Sequence, residues 1–252
     1  MWIDSFRARV ETHPNRVAIV AQGRTTSYGD LWRRAAAVAR GIPARGARHL
    51  ISEADPQTAL ETVIGAWMAG KVPAMVAPDL SSEAVSQVAQ RLAQPAPTQD
   101  DPALREALIT TTSGSSGTPK LVVHPHRSLD TSFRYQQQLV GLPEYTQELI
   151  SAGMHLSRAL ITNSLQGLYE GWTLHLFPGG TAGGVLQAHI RSHGIGMMAG
   201  PASFFRMFFR YGEDAVFPTF RYVRTSGEHT PWSVVEQMQV AFPEALVVLG
   251  YG

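Results

Sequence analysis

Residues 111–120 read Thr-Thr-Ser-Gly-Ser-Ser-Gly-Thr-Pro-Lys. Small hydroxyl residues and two glycines precede a proline and a lysine. Glycine lets the backbone approach a ligand closely, and successive N–H groups line a concave anion site. The hydroxyls of Thr112, Ser113, Ser115 and Ser116 add donors, and Lys120 adds a point charge suited to phosphate. The stretch reads as a loop that grips a polyphosphate. It is not a Walker A loop, because the G-x-x-x-x-G-K-[ST] spacing is absent, nor is it the G-x-S-x-G elbow of a hydrolase. The competing reading is a flexible Ser/Gly linker. Two strand-like flanks oppose it: Ala107-Leu-Ile109 enters the loop and Leu121-Val-Val123 leaves it.

Strand and helix patterns alternate on both sides of this loop. Upstream, helices are expected at Asp4–Val10, Leu31–Ile42, Pro56–Gly70 and Ser82–Leu92. Strands are expected at Val17–Val20, Thr25–Tyr28, His49–Ile51 and Lys71–Ala77, and a polar loop at Gln94–Pro102. Downstream, helices are expected near Ser128–Leu139, Ser164–Glu170, Val185–His193, Ala202–Phe209 and Pro231–Phe242. Strands fall at Thr173–Phe177, Gly196–Ala199, Tyr222–Thr225 and Leu246–Leu249, with a Gly-rich turn at Pro178–Gly184. The alternation predicts an α/β architecture, with no internal repeat and no low-complexity segment.

Composition narrows the function classes. The 252 residues allow one large or two small domains. Hydrophobic residues at 44% and charged residues at 16% exclude a disordered chain. A net charge of +1 leaves no electrostatic footprint for nucleic acid or an anionic membrane. The absence of cysteine excludes disulfides, thiolate metal sites and cysteine nucleophiles on this chain. No run of 18 apolar residues is present, and MWIDSFRARVETHP lacks the pattern of a signal peptide, so a cytoplasmic protein is expected.

The longer stretch TTSGSSGTPKLVVHPHRSL, 111–129, resembles the phosphate-loop signature of the adenylate-forming superfamily: acyl-CoA synthetases, adenylation domains and luciferases. The pattern T-S-G-S-[ST]-G-x-P-K-G-V, then a histidine and often R-[SN]-L, is met by Thr112–Gly117, Pro119, Lys120, Val122, His126, Arg127 and Leu129. Leu121 replaces the usual glycine. Arg16–Arg40 is similar to the family's opening strand, hairpin and "TYGEL" helix, and Ala59–Asp79 to its "GxLKAGxxxVPxDP" segment. Thr219–Glu228 (TFRYVRTSGE) is similar to "LRxxxxGGE", and Gly250-Tyr-Gly252 to the start of "YGxTE".

The resemblance implies an α/β fold of layered sheets with flanking helices, like the large N-terminal domain of these enzymes but incomplete. Residues 1–252 are then a partial N-terminal AMP-binding (adenylation) domain, without the small C-terminal lid domain and its catalytic lysine. The implied function is ATP-dependent activation of a carboxylic acid to an acyl-adenylate. In the complete enzyme, transfer to a thiol of coenzyme A or of a carrier protein's phosphopantetheine follows. ATP and Mg2+ are the implied cofactors, and the implied partners are a carboxylic acid and a carrier protein or complementary C-terminal domain. The alternative is a catalytically incomplete nucleotide-binding or scaffold module, or one part of a split enzyme. An unrelated α/β phosphate binder is a third reading, opposed by the match at both ends of the chain.

By the same resemblance, Thr112, Ser113, Gly114, Ser115, Ser116, Gly117, Thr118 and Lys120 hold the ATP phosphates. The adenine is bordered by Ser226, Gly227, Glu228, Tyr251 and Gly252, and the acid pocket by His155, Arg158 and Phe204. No catalytic side chain and no metal ligand is assigned. Arg158 falls near the position of an aspartate that holds an amino acid's ammonium group. An arginine repels ammonium and pairs with carboxylate, which favours a plain or dicarboxylic acid; a surface arginine is the other reading. Only about thirty residues separate Pro78 from Thr111, fewer than the family's usual span, so a strand–helix unit there is expected to be missing or shortened.

His189 and His193 lie four apart on a predicted helix, a spacing that can share a metal, but no third ligand is evident and none is read. His126 is expected near the loop and His124 to be incidental. The run Phe204, Phe205, Met207, Phe208, Phe209 reads as a helix buried against the sheet or as one wall of the acid pocket. Trp67 and Trp172 read as core.

Overall fold

The computed structural model describes residues 2–95, 99–112, 119–141, 143, 146–211 and 215–250. The chain opens with helix α1 (Trp2–Thr12), the hairpin β1 (Val17–Ala21) and β2 (Arg24–Ser27), and α2 (Tyr28–Gly41). There follow β3 (Arg48–Ile51), α3 (Pro56–Met68), β4 (Val72–Met75), α4 (Ser82–Leu92), β5 (Glu106–Thr112), β6 (Lys120–Pro125) and α5 (His126–Val140). The last part comprises β7 (Gln147–Ser151), a π-helical segment (Arg158–Leu165), α6 (Gln166–Glu170), β8 (Thr173–Phe177) and α7 (Gly183–His193). It ends with β9 (Met197–Gly200), α8 (Ala202–Phe209), β10 (Tyr222–Ser226), α9 (Trp232–Ala241) and β11 (Leu246–Gly250).

Local chemistry sets the helix ends. Ser27, Asp55 and Ser81 cap α2, α3 and α4, their side-chain oxygens accepting from the N–H groups of Asp30, Thr58 and Ala84. Pro56 at the first turn of α3 needs no N–H partner there. Gly171 ends α6 at φ 84°, a left-handed conformation that costs glycine nothing and lets the chain reverse directly into β8.

Two sheets result. The larger has the order β11-β10-β9-β7-β8-β1-β2, parallel throughout except for the β1–β2 hairpin. The smaller has the order β3-β4-β5-β6, with β6 antiparallel at its edge. On one face of the larger sheet, Leu149, Met198 and Val223 pack with Phe205, Phe208, Phe220 and Phe242 under α7, α8 and α9. Its other face, through Ile19, Ile150, Leu174 and Leu176, shares one core with Ile51, Met75 and Leu108 of the smaller sheet, with α1, α2 and α3 between them. Val88 and Leu92 of α4 cover the outer face of the smaller sheet. The α/β layering matches the expectation. The stretch between Pro78 and Thr111 holds α4 and a short 3-10 turn, and β4 and β5 are direct parallel neighbours, so the described residues carry no further strand there.

Two elements depart from the sequence reading. β7 was not anticipated because its sequence, Gln-Glu-Leu-Ile-Ser, puts a carboxylate inside a buried strand; Glu148 is fully buried. The helix expected to start at Ser164 begins at Arg158 as a π-helix. Its i→i+5 spacing sets Arg158 and Asn163 on one side of the segment, and both act on Glu148.

Candidate functional site

The Ser/Gly stretch is bounded by the β5–β6 hairpin. Thr112 ends β5, Lys120 starts β6, and the two are register partners with exposed side chains. Ser113, Gly114, Ser115, Ser116, Gly117 and Thr118 lie outside the described residues, as do Tyr251 and Gly252. The hairpin base is tied down from several directions. Arg91 on α4 donates to the Pro119 carbonyl at 2.8 Å, and Thr111 Oγ1 donates to the Met75 carbonyl on β4 at 3.4 Å. Thr110 Oγ1 and His124 Nε2 are hydrogen-bonded at 2.9 Å. His124, its proton affinity lowered by burial, thus has a structural partner. A paired hairpin on either side removes the reason to read a flexible linker. His126 does not sit near the loop. It follows Pro125, which ends β6 five strand steps from Lys120, roughly 17 Å away at ~3.3 Å per residue. There its N–H donates to the Arg105 carbonyl.

Of the residues expected to border adenine and acid, Ser226–Glu228, His155, Arg158 and Phe204 lie along the larger sheet, at the carboxyl ends of its parallel strands. That is where ligands bind in open α/β sheets, because the strand ends leave a crevice there. Thr225 is in register with Gly200, and Ser226 with Gly250. Gly227, at φ 93°, turns the chain away after β10. The Glu228 carboxylate accepts from the Ser203 N–H and lies 3.7 Å from Arg206, so it caps α8. Those contacts hold its carboxyl below the usual range. The Glu228 side chain is therefore engaged by α8.

Arg158 enters from the π-helical segment, and its Nη1 donates to the Ala199 carbonyl on β9 at 2.9 Å. It is not a surface arginine; burial lowers its pKa. Phe204 lies against the end of β9: a Cβ at Gly200 would stand 2.5 Å from its Cδ1. Phe205, Phe208 and Phe209 are buried as core, so the aromatic run divides between packing and the edge. His155 lies over Gly153, just past β7. Burial lowers its pKa, the charge of Asp79 opposes that shift, and Nδ1 is buried without a partner. Each of the three thus lies at, or bonds to, the end of β7 or β9.

Sequence reasoning missed the groups beneath them. Glu148 accepts a hydrogen bond from Asn163 Nδ2, and its Oε2 has no partner. Burial pushes its carboxyl up to about 8, although Asn163 and Arg158 act in the opposite direction. Arg224 hydrogen-bonds the Tyr222 hydroxyl while its Nε is buried and unpartnered. A Cβ at Gly250 would stand 3.0 Å from both Nε and Nη2 of Arg224, so the guanidinium occupies the space above that glycine. The signal was the arginine in "RYVRTSGE", a charge inside a parallel strand that should be apolar.

Two features lie elsewhere. His175 on β8 joins His189 and His193: His175 Nδ1 is 2.7 Å from His189 Nε2, and the rings of His189 and His193 stack at 3.9 Å. Gln147 Oε1 is 2.8 Å from His175 Nε2. That acceptor fixes His175 as the Nε2–H tautomer, so His189 donates to it. A cavity of about 750 Å3, lined in part by Trp2, Ile3, Trp67, Val72, Leu104 and His126, contains none of the residues assigned to ATP or the acid. Among the described residues, no helix is long and apolar enough to cross a membrane.

Comparison with known proteins follows the same lines. A family model described as AMP-binding enzyme matches residues 6–93 and 87–252. No curated protein matches the chain. Among solved structures, the complex of VinN with L-aspartate is similar at a TM-score of 0.82 and 19% identity, covering 100% of this chain and 76% of that one. The Klebsiella oxytoca NpsA N-terminal subdomain in complex with 3-hydroxybenzoyl-AMSN gives 0.81 at 19% identity, covering 99% and 72%. The o-succinylbenzoate CoA synthetase MenE from Bacillus subtilis gives 0.83 at 16% identity, covering 98% and 58%. At such identities the likeness establishes the fold, that of the large N-terminal domain of adenylate-forming enzymes.

Proposed function

Given that the chain belongs to the AMP-binding enzyme family, we propose that it is the acid-activating part of an adenylate-forming enzyme. Residues 1–252 form a partial N-terminal domain in this reading. A carboxylate oxygen of the substrate attacks the α-phosphorus of ATP, the bond to the β-phosphate oxygen breaks, and pyrophosphate leaves with an acyl-adenylate remaining. A lid domain and a thiol, of coenzyme A or of a carrier's phosphopantetheine, complete the reaction in the whole enzyme.

The chain's contribution is positioning and charge. Thr112 to Lys120 clamp the β- and γ-phosphates, with Lys120 as the cation of the loop. Magnesium bound with the triphosphate would supply positive charge to oxygens that the loop hydroxyls and Lys120 hold. The backbone of Ser226, Gly227 and Glu228, with Tyr251 and Gly252, borders the adenine. His155, Arg158 and Phe204 line the acid pocket, which places the reacting carboxylate at the strand ends. The acids in the structural relatives, an aspartate in VinN, a hydroxybenzoyl group in NpsA and the o-succinylbenzoate of MenE, support a carboxylic acid as substrate.

One observation carries the reading: a Thr/Ser/Gly loop with Lys120 at the tip of a paired hairpin, in a chain matched over nearly its whole length by one family. The test is acid-dependent exchange of labelled pyrophosphate into ATP across a panel of carboxylic acids. Exchange that Lys120→Ala abolishes is expected. MgATP binding without exchange on any acid would leave a nucleotide-binding module and remove the activation step.

A further inference from the structure

Two guanidinium groups share the carboxyl edge of the larger sheet, and the protein leaves them unbalanced. Arg158 crosses from the π-helical segment to β9, and Arg224 rises from β10 over Gly250. They are close enough for the charge of Arg224 to weaken Arg158's hold on its proton. An arginine presents five N–H donors. Arg158 spends one on the Ala199 carbonyl, Arg224 binds the Tyr222 hydroxyl, and Arg224 Nε is buried with no acceptor. The acid acting on Arg158 is Glu148, which is fully buried, accepts from Asn163, and at a pKa of about 8 is protonated at neutral pH. Half-buried like charges beside an idle buried donor are costly unless an anion meets them.

We propose that the acid taken by this chain carries a second anionic group, a distal carboxylate held by Arg158 and Arg224. The inference rests on the acid-activation reading and names its substrate class, a dicarboxylic acid. The planar fork of an arginine matches a carboxylate bidentately, so two forks converging on one group give both affinity and orientation. Arg224 lies two residues inside the end of β10, and Arg158 bonds the residue before the end of β9. The distal carboxylate is therefore held below the rim, and the other carboxylate is left at the strand ends to react. Gly250 has its place in the same device, because any side chain there would meet the Arg224 guanidinium.

The test is calorimetric titration of the chain with succinate, glutarate and adipate against butyrate, valerate and caproate, with MgATP as a separate arm. At least one diacid is expected to bind tenfold or more tightly than its matched monoacid. Arg224→Met and Arg158→Met should each erase that preference, and Arg224→Lys should restore it only in part, since lysine keeps the charge without the fork. Equal or weaker binding of the diacids by the unaltered chain overturns the proposal without any variant having to fold. So does a preference that survives both methionine substitutions. Loss of MgATP affinity in Arg224→Met would assign that arginine to phosphate and overturn it as well. If MgATP fails to bind while the diacid preference stands, the activation reading falls and this one remains.

Discussion

At the tip of the β5–β6 hairpin, Thr112 and Lys120 close a loop whose residues all come from one ten-residue stretch. At the carboxyl edge of the larger sheet, His155, Arg158, Phe204, Arg224 and Ser226 come from segments spread over about seventy residues. The first is held by the strand on either side and by the ties that Arg91 and Met75 make at its base. The second exists because β7, β9, β10 and β11 are parallel neighbours whose ends coincide. The loop can therefore change without the frame noticing, whereas the edge is made of the frame.

The largest effect should come from breaking that frame. Gly183 begins α7 against α8, where a Cβ would stand 2.9 Å from the backbone of Met207 and Phe208. Backbone cannot move aside as a side chain can. Gly183→Val is expected to cost roughly 2–3 kcal/mol and to lower Tm by roughly 5–10 °C in thermal unfolding. It should loosen the edge while leaving the hairpin sheet alone.

Glu148 sharpens the comparison through pH. Its folded-state pKa of about 8 lies above its ordinary 4.5, so the folded chain binds a proton that the unfolded chain releases. That contribution is complete below 4.5 and is lost as pH rises through 8. Glu148→Gln keeps an oxygen for Asn163 and removes the titration. Its Tm relative to the unaltered chain should rise on the order of 5 °C between pH 5 and pH 8.

His175 has the opposite sign. Burial lowers its pKa from 6.5 to about 3, with the charges of His189 and His193 adding to the shift. The unfolded chain binds the extra proton, so this part of the stability is present above 6.5 and is lost as pH falls toward 3. His175→Gln should gain on the unaltered chain by about 3 °C between pH 7 and pH 5.

The smallest effect belongs to the loop: Lys120→Ala, on an exposed strand end, should leave Tm within about 1 °C. A large loss of stability there would mean that the hairpin tip is part of the frame after all.

The same contrast explains what could be read before the fold was known. The strands that flank the Ser/Gly stretch were legible because the apolar runs on either side of it form β5 and β6. Most helices were legible from periodicity and caps, as with Asp55-Pro56 at the start of α3. β7 was not, because Glu148 sits where a buried strand should be apolar, and the reason lies in Asn163, fifteen residues away. Arg224 and His175 escaped for the same reason: each is a polar residue inside a strand, with a role set by partners from other segments. His126 was misplaced because nearness in sequence to the loop was taken as nearness in space, and a strand carries the chain away from it.

The central claim is that the loop from Thr112 to Lys120 holds a nucleotide triphosphate. Calorimetric titration of MgATP into the chain and its Lys120→Ala variant tests it most directly. Saturable binding by the unaltered chain, weakened roughly tenfold or more in the variant, is the predicted result. Equal affinity in the two, or no binding by a chain that unfolds cooperatively, would contradict it.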